Sequence, residues 1–290
     1  MPKKEEFKAG FVTLTGKPNV GKSTLLNKLV GEKIAIISPR PQTTRNIIKG
    51  VVTFEEAQIV FIDTPGLTQI EKAPSRLDRR IIEETLLGLE GVDVVVFMAD
   101  NRRPSSEDYF IMDHLEKIKK PVILAISKVD KAEKSEVESL LETYKKYFPF
   151  SKSIPISAKK GTNLSILVGE IIHFLPSHPP YYSSDLVTDQ AERILAGELI
   201  REKIFELTRQ EVPYSAMVNV EEFKERSENL TYISATIYVE HSSQRGILVG
   251  KKGSMIKKIG LLARKEIENR FNCRVYLDLR VGVKKNWRKI

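Results

Sequence analysis

Apolar positions in the first 175 residues fall into short runs separated by longer stretches with helical spacing. Phe11 to Thr15, Ile47 to Thr53, Gln58 to Ile62, Asp93 to Ala99, Val122 to Ile126 and Ser153 to Ile156 read as strands. Val94-Val95-Val96-Phe97-Met98 and Val122-Ile123-Leu124-Ala125-Ile126 are continuous rather than alternating, which suits strands covered on both faces of a mostly parallel sheet. Residues 22–30, 78–89, 105–118, 135–147 and 163–174 carry the spacing of helices. Strand and helix alternate, so the sequence predicts a doubly wound α/β domain over residues 1–175.

Leu175-Pro176-Ser177-His178-Pro179-Pro180 breaks this pattern, because its prolines can continue neither a helix nor a central strand. Residues 176–188 are therefore expected to be a linker, and 189–290 a second, α+β domain. In it 189–209 is predicted as a helix with Ala196, Ile200, Ile204 and Leu207 on one face. Ala216, Val218 and Val220 alternate as a strand, as do Ile233, Ala235, Ile237 and Val239. Helices are predicted over 244–249 and 254–270, and a last strand through Val275, Leu277, Leu279 and Val281. The order is α-β-β-α-α-β.

Charge changes this picture more than composition does. The 290 residues are 41% hydrophobic and 29% charged, enough to build real cores, with a net charge of +9. Residues 181–240 are net acidic, whereas residues 241–290 hold fourteen Lys and Arg against three Asp and Glu. That basic tail keeps strong apolar periodicity, so it reads as a folded surface for a polyanion. No apolar run is long enough to span a bilayer, and Met1-Pro2-Lys3-Lys4-Glu5-Glu6 lacks the apolar stretch of a secretory signal, so the chain is expected in the cytosol. A single cysteine, Cys273, leaves no disulfide framework and no Cys-based zinc site.

Four motifs in order, each just past a predicted strand, define the chemistry of the first domain. Gly16-Lys17-Pro18-Asn19-Val20-Gly21-Lys22-Ser23, followed by Thr24, fits the phosphate-binding pattern GxxxxGK[S/T] between a strand and a helix. Its backbone N–H groups can curl around phosphates, Lys22 can neutralise the β/γ-phosphates, and Ser23 Oγ can ligate Mg²⁺. Asp63-Thr64-Pro65-Gly66 places a carboxylate toward the magnesium and a glycine at the γ-phosphate. Ser127-Lys128-Val129-Asp130 offers a carboxylate that accepts from guanine N1–H and the 2-amino group together, donors that adenine lacks. Backbone N–H groups of Ser157-Ala158-Lys159 can reach guanine O6. Ser127 stands where such proteins usually carry Asn, so guanine specificity is expected at somewhat lower affinity; equal displacement of GTP by ATP would contradict this. In the loop 33–46, Thr44 is the favoured Mg²⁺ and γ-phosphate contact, with Thr43 as the alternative in Gln42-Thr43-Thr44-Arg45. Leu67 cannot orient an attacking water as a glutamine does. Asn19 is therefore a candidate to hold a K⁺ ion beside the phosphates, and slow turnover is expected.

In the basic domain, Ile247-Leu248-Val249-Gly250-Lys251-Lys252-Gly253-Ser254 joins two predicted helices through a GxxG turn. Met255, Ile256, Ile259, Leu262, Ala263 and Ile267 share one face of the second helix, while Lys257, Lys258, Arg264 and Lys265 lie off it. A turn bounded by glycines and armed with Lys251 and Lys252 is how a KH module clamps single-stranded nucleotides. Gly88-Leu89-Glu90-Gly91 matches the same pattern in an acidic context and is read as accidental. Ile247, Val249 and Ile256 are the predicted groove wall, and single-stranded RNA the predicted ligand.

These motifs, with Arg201-Glu202-Lys203 and Glu211-Val212-Pro213-Tyr214-Ser215 at the junction, resemble the Era family of bacterial GTPases from about residue 8 to 288. The resemblance implies a Ras-like GTPase domain followed by a type II KH domain. It implies a ribosome-assembly GTPase whose KH domain binds the 3′ end of small-subunit (16S) rRNA on the assembling 30S subunit, with GTP favouring the RNA-competent arrangement. It further implies a cytoplasmic protein partly associated with the inner membrane, and a monomer is expected. Two rival readings remain at this point: a nucleotide-gated RNA-binding protein with little hydrolysis, and a tRNA-modifying GTPase. The second would need a reactive cysteine or a cofactor module, and Cys273, beside Asn272 and Arg274, reads as a small packing residue.

Overall fold

The computed structural model describes residues 6–37, 48–69, 76–188, 192–227, 229–285 and 287. The chain divides near residue 190 into two compact units. The first is a six-stranded sheet in the order β2-β3-β1-β4-β5-β6. Its strands are β1 (Lys8–Thr15), β2 (Ile48–Thr53), β3 (Ala57–Asp63), β4 (Val94–Ala99), β5 (Val122–Ile126) and β6 (Lys152–Pro155). Only β2 runs antiparallel, against β3 at the sheet edge; the other pairings are parallel. Every residue of β4 and β5 is buried, as their unbroken apolar runs require.

Helices α1 (Lys22–Val30), α2 (Arg76–Gly88), α3 (Ser106–Leu115) and α4 (Lys134–Tyr147) lie between strands, and α5 (Leu164–Phe174) follows β6. A capping box starts α3 at Ser105 with Asp108, and another starts α4 at Glu133 with Glu136. Parallel pairing brings the C-terminal strand ends to one edge of the sheet. Leu14 pairs with Asp63, Thr15 with Phe97, Ala99 with Ile126 and Ile126 with Pro155. All four nucleotide motifs leave the sheet along that edge, which is where α/β sheets place ligands.

The stretch 176–188, expected as a linker, is bonded along the first unit. Ala9 N–H donates to Pro176 O, His178 N–H to Phe7 O and Val51 N–H to Val187 O. The Gln58 side chain accepts from the Tyr181 and Tyr182 N–H groups and donates to Tyr182 O. Prolines remove donors from this segment, but its Pro176 and Val187 carbonyls accept from β1 and β2, and its N–H groups reach Phe7 O and the Gln58 side chain.

The second unit contains α6 (Glu192–Leu207), a short α7 (Val212–Ser215) not predicted from sequence, β7 (Met217–Ser227), β8 (Leu230–Val239), α8 (Ser242–Val249), α9 (Ser254–Phe271) and β9 (Arg274–Val283). β7 and β8 form an antiparallel hairpin, and β9 returns parallel to β8 in unbroken register from Leu230↔Arg274 to Val239↔Val283. A parallel return needs a crossover, which α8 and α9 supply. Ile233, Ala235, Ile237 and Val239 of β8 pack with Ala196, Ile200 and Ile204 of α6 and with Ile259, Ala263 and Ile267 of α9. Half-buried Cys273 joins the edge of this core, its Sγ 3.5 Å from Thr231 Oγ1.

Candidate nucleotide and RNA sites

The loop between β1 and α1 closes around the ammonium of Lys22. Lys22 Nζ donates to Gly16 O at 2.9 Å and to Lys17 O at 3.1 Å, and its side chain is buried. Burial pulls the Lys22 ammonium down to about 8, against the opposing charge of Asp63. Asp63 is fully buried, and burial pushes its carboxyl up to about 6 against the pull of Lys22 and a hydrogen bond from Ser23. That bond, from Ser23 Oγ to Asp63 Oδ2, is 2.7 Å. Asp63 Oδ1 is buried with no partner among the described residues. A desolvated cation and an orphaned carboxylate oxygen are what an anion and a divalent ion would relieve. The hard oxygens of Ser23 and Asp63 fit Mg²⁺.

Gly66 approaches the same loop so closely that a Cβ would sit 2.7 Å from Pro18 Cα, so only glycine fits there. Leu67 N–H donates to Gly16 O, while its side chain is wholly buried in the core. No group of Leu67 can hold a water at the phosphates. Thr43 and Thr44 lie outside the described residues.

On the base side, Ser127 Oγ donates to Val20 O, so the hydroxyl makes the tie to the phosphate loop that an asparagine would make. Lys128 has a left-handed backbone (φ 60°), as does Asn19 (φ 65°), a conformation that side chains hold only when their surroundings enforce it. Lys128 Nζ crosses the loop to donate to Asn19 O at 2.6 Å and stands 3.9 Å from Asp100 Oδ2. Burial lowers the Lys128 pKa, against the pull of Asp100. Asp130 is oriented by Ser157, whose Oγ donates to Oδ1 at 2.6 Å; that bond holds the carboxyl below its usual range. Ser157 Oγ in turn accepts from Lys160 N–H.

Two features here escaped the sequence reading. Ser157 was expected to act through its backbone, and its hydroxyl is also the clamp on Asp130. Lys17, read as part of the phosphate cradle, turns its side chain to Asp108 at 2.8 Å, so only its backbone faces a phosphate. Spacing alone cannot reveal either contact, since each joins segments at least 27 residues apart.

In the second unit the glycine turn is a tight left-handed bend. Gly250, Lys252 and Gly253 all have positive φ, and a Cβ on Gly250 would lie 2.8 Å from Met255 N. Lys251 and Lys252 are exposed beside it. A groove of about 430 Å³ lies between α9, which begins just after the turn, and the edge strand β9. Ile256, Lys257, Gly260, Leu261 and Arg264 form one wall; Tyr276, Leu277, Asp278 and Leu279 form the other. Of the residues expected to face RNA, Ile256 and Lys257 line this groove. Gly250, Lys251, Lys252, Gly253, Ser254 and Lys258 lie at the turn or on the first turns of α9. Ile247 and Val249 lie on α8, outside the groove lining, with Ile247 exposed. Leu261 and Tyr276 were missed, yet both were readable. Leu261 is an apolar residue among lysines on the outward face of α9, and Tyr276 sits between inward-facing residues of β9.

Residues 11–128 match the family model described as a 50S ribosome-binding GTPase, and residues 211–288 match the KH domain. The chain is 50% identical to the GTPase Era of Halothermothrix orenii, over 98% of its own length and 95% of that protein. It is 48% identical to the GTPase Era of Geobacter metallireducens, over 97% and 94%. The chain belongs to the Era family of GTPases. A solved Era complex with MgGDPNP and nucleotides 1506–1542 of 16S ribosomal RNA superposes with a TM-score of 0.93 at 41% identity, covering 98% of this chain and 96% of that one. A structure of an Aquifex aeolicus Era variant bound to GDP and aluminium fluoride gives the same score and identity. This Era-family chain is therefore a GTPase with a Ras-like domain and a KH domain. The named relatives are GTPases, which favours hydrolysis over a switch without it. Among the described residues, no helix is long and apolar enough to cross a membrane.

Proposed function

We propose that this GTPase is a switch that grips the unpaired 3′ end of small-subunit rRNA during assembly of the 30S subunit. The observation that carries the reading is the pairing, in one chain, of a guanine-selective triphosphate site with a lysine-armed glycine turn over a groove. Lys22 and the backbone of residues 16–24 hold the phosphates, and Gly66 meets the γ-phosphate. Ser23 and Asp63 hold Mg²⁺, joined by Thr44 in the triphosphate state. Asp130 reads the guanine edge, Lys128 and Ser127 tie that reader to the phosphate loop, and Ala158 and Lys159 follow Ser157 at O6. Asn19 holds K⁺ beside the phosphates, because buried Leu67 leaves transition-state charge to be met by a cation. If turnover ignores both exchange of K⁺ for Na⁺ and Asn19→Ala, that ion has no place here.

Lys251, Lys252 and Lys258 neutralise the RNA backbone, and the bases lie against Ile256 and Leu261. The solved Era complex with the 1506–1542 RNA supports this choice of strand. We place the protein in the cytoplasm as a monomer, with a peripheral fraction on the inner membrane. The test is binding of that RNA to the full chain with a non-hydrolysable GTP analogue, with GDP and without nucleotide. The triphosphate state should bind tightest; equal affinity in all three would reject the switch.

A further inference from the structure

The groove ends, away from the glycine turn, at Arg264 and Tyr276. There the sheet carries a ladder that crosses all three strands on the face opposite the core. Tyr232 of β8 and Tyr276 of β9 are register partners, with ring centroids 5.8 Å apart and planes 24° from parallel. On the far side, the Arg226 guanidinium of β7 caps Tyr232 at 4.3 Å from its centroid. The order is therefore cation, ring, ring, and then the open edge of the sheet. Tyr276 is 64% exposed, a large aromatic left in water at the rim of the groove. Asp278 beside it is tied to Arg280 at 2.7 Å, which offsets its charge.

We propose that this ladder is a stacking platform for one further unpaired base of the RNA, next to the nucleotides in the groove. The proposal rests on the RNA-binding reading above and adds a site to it. An aromatic face accepts any base, and a stack already backed by a second ring and a guanidinium holds its outer ring in place before the ligand arrives. Arg264 neutralises the phosphate that leads a strand out of the groove toward Tyr276. A strand leaving the groove at that end meets the free face of Tyr276 first. The platform is indifferent to base identity, so it adds affinity and fixes where the strand leaves, without reading sequence.

The test uses the full chain with the GTP analogue and the 1506–1542 RNA, shortened one nucleotide at a time from each end. One removal should weaken the wild type about tenfold. Tyr276→Ala should start about tenfold weaker and be insensitive to that same removal, while Tyr276→Phe, which keeps the ring, should match the wild type. GTP turnover without RNA should be the same in the wild type and in both variants. Tyr276→Trp should add a fluorescence component, above that of the single natural Trp287, that RNA carrying the flanking nucleotide quenches. Equal losses in the wild type and Tyr276→Ala at every removal, or no quenching, would overturn the platform while leaving groove binding intact. Failure of the untrimmed RNA to bind the wild type would instead overturn the RNA-binding reading, and the platform with it.

Discussion

Ser157 shows how much one hydroxyl decides. Its bond to Asp130 orients a carboxylate that is otherwise in solvent, and a guanine reader must present both oxygens in one plane. Ser157→Ala should weaken GTP about tenfold, the scale of a lost hydrogen bond to a charged group, and narrow the preference over ATP. Competition binding reads both. Ser127→Ala acts differently, because its Oγ reaches Val20 O in the phosphate loop. Affinities for GTP and GDP should fall together, as titration with each nucleotide would show. Lys22 sets a pH dependence. Burial lowers its pKa to about 8, so the ammonium is lost as pH rises through that range. Bound phosphates favour the ammonium, so binding takes up a proton there, and affinity falls as pH rises from 7 through 9. Calorimetry in two buffers of different ionisation heat should detect that uptake; its absence would place the phosphates away from Lys22.

At the scale of elements, α3 is bolted to the phosphate loop by one buried carboxylate. Asp108 Oδ2 accepts from Ser105 N–H at 2.8 Å, Ser105 Oγ at 2.7 Å and Lys17 Nζ at 2.8 Å. Asp108 is fully buried and Lys17 partly so. Asp108→Ala removes the reciprocal half of the α3 cap and strands the Lys17 ammonium, so it should cost about 3 kcal/mol. Lys17→Met leaves Asp108 its two Ser105 bonds and should cost clearly less. Thermal unfolding of the two variants orders them; equal losses would mean that the bridge contributes nothing beyond the cap. Sequence reading found the α3 start but not the bridge, since 91 residues separate its ends. The same limit explains the linker: the prolines of 176–180 announced the end of a domain, whereas the bonds of 176–188 to β1 and β2 depend on strands placed far earlier.

At the scale of the molecule, charge is separated along the chain, and the basic C-terminal fifty residues carry the groove. RNA affinity should therefore fall steeply with salt. If Lys251, Lys252 and Lys258 each meet a phosphate, the log–log slope should be about −2. Gly253→Asp puts a charged side chain at φ 77° beside those lysines, and should abolish RNA binding while GTP binding persists. Filter binding across a salt series and nucleotide titration of the variant check both; a flat salt response would remove the polyanion from the account.

The local sequence determined which segments become strands and helices, and where the phosphate loop, the carboxylate of Asp63 and the glycine turn fall. Each is a property of residues within a few positions of one another: period, glycine spacing, and a polar residue just past an apolar run. The tertiary structure alone decided what those residues touch. It set Ser157 against Asp130, Lys17 against Asp108, and Tyr276 against Tyr232 at the mouth of a groove between α9 and β9. The reason is geometric. Burial, desolvation and stacking depend on distances across strands and helices, and chain spacing does not encode those distances until the sheet has fixed its order and register.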